Sequence, residues 1–259
     1  MKGPGSSPMQ FQVVPLSPLV KKLIIVNVAI WFFLQLILEN LFLSQDYFTQ
    51  YFSFTPKLML ENFFIWQPFT YMFLHSTNVF HVLLNMVSLW FFGSELEYRW
   101  GAKSFLFYYL ACGVGAAVIY FIAVITVGLV QGTEPLVYVI PVLGASGAVF
   151  GVLLAYGILF GDRIIYFFGV FPMKARFFIM MIAGIEVITL ISDGMGGSKV
   201  ANMAHIGGLV TGYIYLLLWT RWQQKRWRGA KSSKGRRNLR LVVNNSEKKD
   251  DNNGPKYWN

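Results

Sequence analysis

SFLFYYLACGVGAAVIYFIAVITVGLV, residues Ser104–Val130, holds no charged side chain and no proline in 27 positions. An apolar run beyond about 18 residues is long enough to cross a bilayer as a helix. Backbone polar groups can cross lipid only inside a helix or a closed barrel. A barrel strand needs just ~10 residues of alternating polarity, and this run neither alternates nor stops there. It reads as a membrane helix. The rest of the 259-residue chain agrees: 55% of residues are hydrophobic and 17% aromatic, but only 13% are charged. A soluble domain carries about 25% charged residues. Working outward from 104–130, five more spans follow, at about 20–43, 79–94, 144–161, 174–192 and 200–220. The second and fifth look short or polar, as helices buried among others often do. The expected fold class is all-α, a polytopic membrane helix bundle with six transmembrane helices.

Three segments are expected. Residues 1–19 contain Pro4, Pro8, Pro15 and Pro18 and read as a flexible lead-in. Residues 20–221 form the membrane core. Residues 222–259 form a basic tail with few large apolar groups, expected to be disordered. Twelve of the 22 Lys and Arg lie between Arg221 and Lys256. With six spans, both termini share one side, which collects 20 of the 22 and leaves only Lys57 and Lys199 opposite. Basic residues stay on the cytoplasmic side, so both termini are expected to be cytoplasmic. The expected location is a bacterial inner (plasma) membrane. The net charge of +10 is accounted for by this topology and by attraction to anionic lipid, about 1 kcal/mol per basic residue near the surface. No nucleic-acid partner is expected. Cys112 is the only cysteine and lies within the quoted run, where a buried apolar filler is expected.

The opposite side has one long connection, about 44–78. Its amphipathic stretch Tyr51–Phe64 and the following Trp66-Gln67-Pro68-Phe69 suit a segment lying in the membrane interface. The connection 162–173 looks similar.

Chemistry is suggested first by Gly144-Ala145-Ser146-Gly147-Ala148-Val149-Phe150-Gly151. Glycine on both sides of a serine allows close backbone approach. A serine at a helix start has free N–H groups beside it, suited to a developing oxyanion. The same residue types also serve as packing between membrane helices and as ordinary N-caps. A serine hydroxyl needs a base, and His205, one of three histidines, lies inside the sixth span. Ionisable groups in spans are costly and usually functional. Ala201, His205, Gly208 and Gly212 share one helix face, and Gly147, Gly151 and Ala155 form a matching stripe. Two such stripes would bring Ser146 to His205. No Cys, Asp or second His stands at ligand spacing beside His205, so neither a metal nor a cofactor is expected. His81 and Asn85, four apart on the second span, face the same way. They could donate to an oxyanion or simply hold helices together.

Together these residues resemble the rhomboid intramembrane proteases. The resemblance covers residues 19–221: Trp66-Gln67-Pro68-Phe69-Thr70 through His75, His81, Asn85, Gly93, Leu96-Glu97 and Gly101, then Gly144 to Gly151, then Ala204-His205-Ile206-Gly207-Gly208 with Gly212. It implies a six-helix bundle with a Ser146–His205 catalytic dyad, reached from the non-cytoplasmic side through a water-filled cavity. It also implies an oxyanion hole made by His81, Asn85 and the Ser146 N–H, with Phe150 packed under the histidine ring. The implied substrates are single-span transmembrane proteins, met within the lipid. His75 is expected to make loop hydrogen bonds, and Glu97 with Arg99 to tie the end of the second span. Glu186, inside the fifth span, invites a triad, but the family works with a dyad, so pairing with internal polar groups is expected instead. A non-catalytic, client-binding relative usually lacks the serine or the histidine, and this chain keeps both. A channel or transporter would show internal repeats or rows of charges within spans, and neither is visible.

Overall fold

The computed structural model describes residues 15–43, 46–132, 135–167, 170–192 and 197–233. Six principal helices carry the fold: α1 (Pro18–Leu38), α2 (Val79–Trp100), α3 (Ala102–Gln131), α4 (Ser146–Leu159), α5 (Ala175–Ser192) and α6 (Gly197–Ser233). All except α4 have the length and apolarity to cross a membrane, so the chain is a polytopic helical membrane protein. The chain divides into two units, Met1–Trp219 and Thr220–Asn259. The described part of the second, 220–233, is helical. Most of the expected N-terminal segment, and the tail beyond Ser233, lie outside the described residues.

The short helix is the fourth, not the second or fifth. α4 has 14 residues, about 21 Å of helix against a hydrocarbon core of about 30 Å. Its apolar run begins earlier, but the residues before Ser146 are drawn out of helix. Phe54 and Val142 exchange backbone hydrogen bonds of 2.8 Å in each direction, and the Gly144 N–H donates to Tyr71 O at 3.0 Å. Gly144 has φ +124, a region open to glycine. α2, by contrast, continues beyond its expected end at 94 to Trp100.

Glu97, near the end of α2, is 5% exposed and serves α1 rather than Arg99. Its carboxylate accepts from the Ser17 hydroxyl and from the N–H groups of Leu19 (3.0 Å) and Val20 (2.9 Å). A helix start leaves such N–H groups without internal partners, and an anion there also meets the positive end of the helix dipole. Pro18 fits the first turn, where no N–H is needed.

The 46–78 connection holds three short α-helices, Tyr47–Phe52, Pro56–Glu61 and Gln67–Thr70, the last running on into a 3-10 turn, Tyr71–Phe73. Gln67, fully buried, ties it internally by accepting from the Thr55 N–H at 3.1 Å and donating to Gln50 O at 3.2 Å. Between α4 and α5 the expected interfacial stretch is a pair of antiparallel strands, β1 (Ile164–Phe167) and β2 (Phe171–Lys174), with Ile164 opposite Lys174 and Phe167 opposite Phe171. Ile, Tyr and Phe favour a pleated, half-buried surface, which the apolar composition alone could not distinguish from an interfacial segment.

Backbone contact places α4 in the middle of the bundle. A Cβ added to Gly208 of α6 would lie 1.9 Å from Gly147 O, and one added to Gly212 would lie 3.2 Å from Gly151 Cα. On the α3 side, a Cβ on Gly151 would meet Cys112 Sγ at 2.4 Å. The Tyr108 hydroxyl donates to Gly151 O at 2.7 Å. Cys112 is fully buried, among the apolar core residues.

Candidate active site

Ser146 is the first residue of α4, so its side chain stands where the helix N–H groups are open. The α4–α6 contact just below it fixes the depth of His205. Their side chains meet: His205 Nε2 lies 2.8 Å from Ser146 Oγ. The Phe150 ring, one turn on from the serine, stacks on the imidazole with centroids 4.2 Å apart and planes 11° apart. That stacking limits the ring to rotation in its own plane.

The in-plane orientation has a partner that the sequence reading set aside. Glu186 Oε2, from α5, lies 2.9 Å from His205 Nδ1. Both side chains are largely withdrawn from solvent, at 14% and 16% exposure. The available signal in the sequence was a lone carboxylate in an apolar helix adjoining the histidine's helix. Its rotational setting was not readable from spacing.

His81 and Asn85 take different places. The His81 ring faces the turn before the serine: a Cβ on Gly144 would sit 2.8 Å from His81 Nε2. The Ser76 N–H donates to His81 Nδ1 at 3.2 Å, with the Ser76 hydroxyl 3.0 Å from the same nitrogen. A neutral imidazole accepts at one nitrogen and donates at the other. Acceptance at Nδ1 therefore puts the hydrogen on Nε2, the nitrogen facing Gly144. Asn85, one turn further along α2, donates from Nδ2 to His81 O at 2.8 Å. An amide nitrogen carries two hydrogens, and this bond uses one. Ser76 was not singled out from the sequence, where it is one of several polar loop residues.

His75 is fully buried and organises the loop around this turn. Gln35 of α1 donates to His75 O at 2.8 Å and accepts from the His75 N–H at 2.9 Å. The imidazole Nε2 accepts from the Ala145 N–H at 3.5 Å. Burial, and then the neighbouring His81, pushes the His75 imidazole down to about 3. It is therefore neutral at physiological pH and able to accept. Among the described residues there is no cluster of His, Cys, Asp or Glu suited to a metal ion.

The arrangement is therefore a hydroxyl at a helix start, an imidazole within hydrogen-bond reach, and a second imidazole nitrogen, His81 Nε2, facing the same turn. Comparison with known proteins gives it a family. Residues 62–222 match the model of the rhomboid domain. A protein of Bacillus subtilis (strain 168) named "Putative rhomboid protease YdcA" is 27% identical over 214 residues, covering 82% of this chain and 94% of its own. RHOMBOID-like protein 12, mitochondrial, of Arabidopsis thaliana is 28% identical over 68% of this chain and 54% of its own. Rhomboid protease GluP of Bacillus subtilis (strain 168) is 31% identical over 58% of this chain and 25% of its own. This chain thus spans nearly all of the first relative, about half of the second and a quarter of the third. With the matched domain covering more than half of its residues and, among the described residues, five helices fit to cross a membrane, the chain belongs to the rhomboid family as an integral membrane protein.

Proposed function

We propose that the chain is an intramembrane serine endopeptidase that cleaves transmembrane segments of membrane proteins, with Ser146 as nucleophile and His205 as base. The observation carrying this reading is the 2.8 Å approach of His205 Nε2 to Ser146 Oγ at the start of a helix. Two relatives, named "Rhomboid protease GluP" and "Putative rhomboid protease YdcA", support it.

In the proposed reaction His205 Nε2 takes the hydroxyl proton as Ser146 Oγ bonds to the scissile carbonyl carbon. The carbonyl oxygen becomes an oxyanion beside the α4 start. It is held by the Ser146 N–H, His81 Nε2–H and the Asn85 amide. His205 then returns the proton to the departing amine as the C–N bond breaks. Water, deprotonated by the same imidazole, releases the acyl group and restores the serine. The substrates are single-span proteins, met in the lipid with both termini of the enzyme cytoplasmic. A substrate helix must unwind locally to offer its peptide bond, because its carbonyls are otherwise engaged.

A fluorophosphonate probe tests the nucleophile without knowledge of the substrate. The intact protein should be labelled at Ser146, with labelling abolished in Ser146→Ala and sharply reduced in His205→Ala. Labelling at another serine, undiminished in Ser146→Ala, would refute the assignment.

A further inference from the structure

In a two-residue serine hydrolase, no third, acidic side chain chooses which imidazole nitrogen carries the hydrogen. Here the Phe150 stack sets the plane of the ring, but a stack on the ring face does not distinguish one nitrogen from the other. The choice lies in the plane, where His205 Nδ1 meets Glu186 Oε2 at 2.9 Å and Nε2 meets Ser146 Oγ at 2.8 Å. An ionised carboxylate only accepts hydrogen bonds. Opposite Nδ1 it therefore selects the Nδ1–H form and leaves the Nε2 lone pair facing the serine hydroxyl.

The helices presenting these groups are tied at the next turn as well. Asn202, three residues before His205 on α6, donates to the hydroxyl of Thr189, three residues after Glu186 on α5, at 2.8 Å. The Thr189 hydroxyl in turn lies 2.9 Å from Ile185 O on its own helix. Two polar links, one turn apart, fix the rotation of α5 against α6 and so keep the carboxylate in line with the ring. Both Glu186 and Asn202 stand in otherwise apolar runs, where a polar side chain without a partner is costly.

We propose that Glu186 is a positioning residue for the hydrolysis, making the site a Ser146–His205–Glu186 triad and not a bare dyad. This rests on the protease reading given above. Glu186 holds His205 in the tautomer that can accept the Ser146 proton. It then faces the imidazolium formed when that proton arrives, without taking the proton itself. The proton path stays Oγ to Nε2 to the leaving amine, so the balance of the reaction is unchanged.

The test compares Glu186→Gln and Glu186→Asp with wild type in the full-length protein, measuring kcat, KM and melting temperature. The amide of Glu186→Gln matches the carboxylate in shape but can donate to Nδ1 and favour the unproductive tautomer. It should lower kcat by roughly 10- to 100-fold, less than the ~10⁴ known for a soluble triad, because Phe150 still holds the plane. KM and melting temperature should stay near wild type. Glu186→Asp retains the charge and should recover part of the lost kcat. Wild-type kcat in Glu186→Gln, or equal losses in both variants that follow melting temperature, would overturn the proposal. A second readout does not depend on cleavage. With three histidines in the chain, ¹⁵N-histidine spectra assigned with His205→Ala report the tautomer directly. His205 should be Nδ1-protonated in wild type and shift towards the other form in Glu186→Gln. A wild-type Nε2–H form would overturn the positioning role even in an active enzyme. An Nδ1–H form that depends on Glu186, in a protein that cleaves nothing, would keep Glu186 as the residue that sets the tautomer but would overturn the protease reading, and with it the role in hydrolysis.

Discussion

His81 and Asn85 pose the residue-scale question of whether polar groups on a membrane helix do chemistry or hold helices together. Their sequence spacing allowed both. The Ser76 bonds to His81 Nδ1 favour a hydrogen on Nε2, facing Gly144 and the serine turn. Asn85 uses one amide hydrogen on His81 O, so it also steadies the backbone that carries His81. If both are oxyanion donors, His81→Ala and Asn85→Ala should each lower turnover by roughly 10²–10³ with little change in substrate affinity. Donors to one oxygen act as a unit, so the double variant should lose less than the product of the single losses. Turnover and melting temperature measured together decide the matter. Activity that declines only as far as folding does would make both residues structural. The residue types at this site were readable from the sequence because serine, histidine and asparagine are conspicuous in apolar runs. Glu186 was equally conspicuous, but its meeting with His205 depends on how α5 is rotated, and no spacing within either helix reports that. Gln35 and Ser76 act on the backbone of His75 and on the His81 ring from other segments, and loop contacts of that kind leave no pattern to read.

At the scale of elements, the small-residue stripes foretold the close meeting of α4 and α6. The approach is backbone to backbone, since a Cβ on Gly208 would lie 1.9 Å from Gly147 O and 3.2 Å from Gly147 Cα. No side-chain rotation can relieve that contact. Overpacking typically costs about 1–3 kcal/mol, and a displacement of about 1 Å at a reacting pair can cost on the order of 100-fold in rate. Gly208→Val should therefore lower the melting temperature and reduce activity by about that factor, even in molecules that remain folded. An equally stable and fully active Gly208→Val protein would show that the stripe does not set the Ser146–His205 distance. The length of α4 was less readable. Residues 144–161 form one apolar run, and nothing within them announces that Phe54, about ninety residues before Ser146, pulls Val142 into a bridge. The β1–β2 pair escaped for a related reason, because a short apolar run serves strand and interface alike.

For the whole molecule, composition decided the class: too few charges and too many long apolar runs for a soluble domain, and residues of the right type in the right order for a rhomboid domain. The asymmetry of 20 basic residues to 2 supports an orientation with both termini cytoplasmic, which would put the short α4 with its serine-bearing end towards the opposite side. The proposed chemistry then takes place below a membrane surface, at the top of a helix packed against α3 and α6 and not exposed on a loop. Purified full-length protein is reconstituted with a single-span membrane substrate, and the products are sized and mapped by mass spectrometry beside Ser146→Ala and His205→Ala. The wild type should cut within or at the edge of the substrate's transmembrane segment, and neither folded variant should cut at all. Cleavage by Ser146→Ala at the wild-type rate would contradict the proposed chemistry.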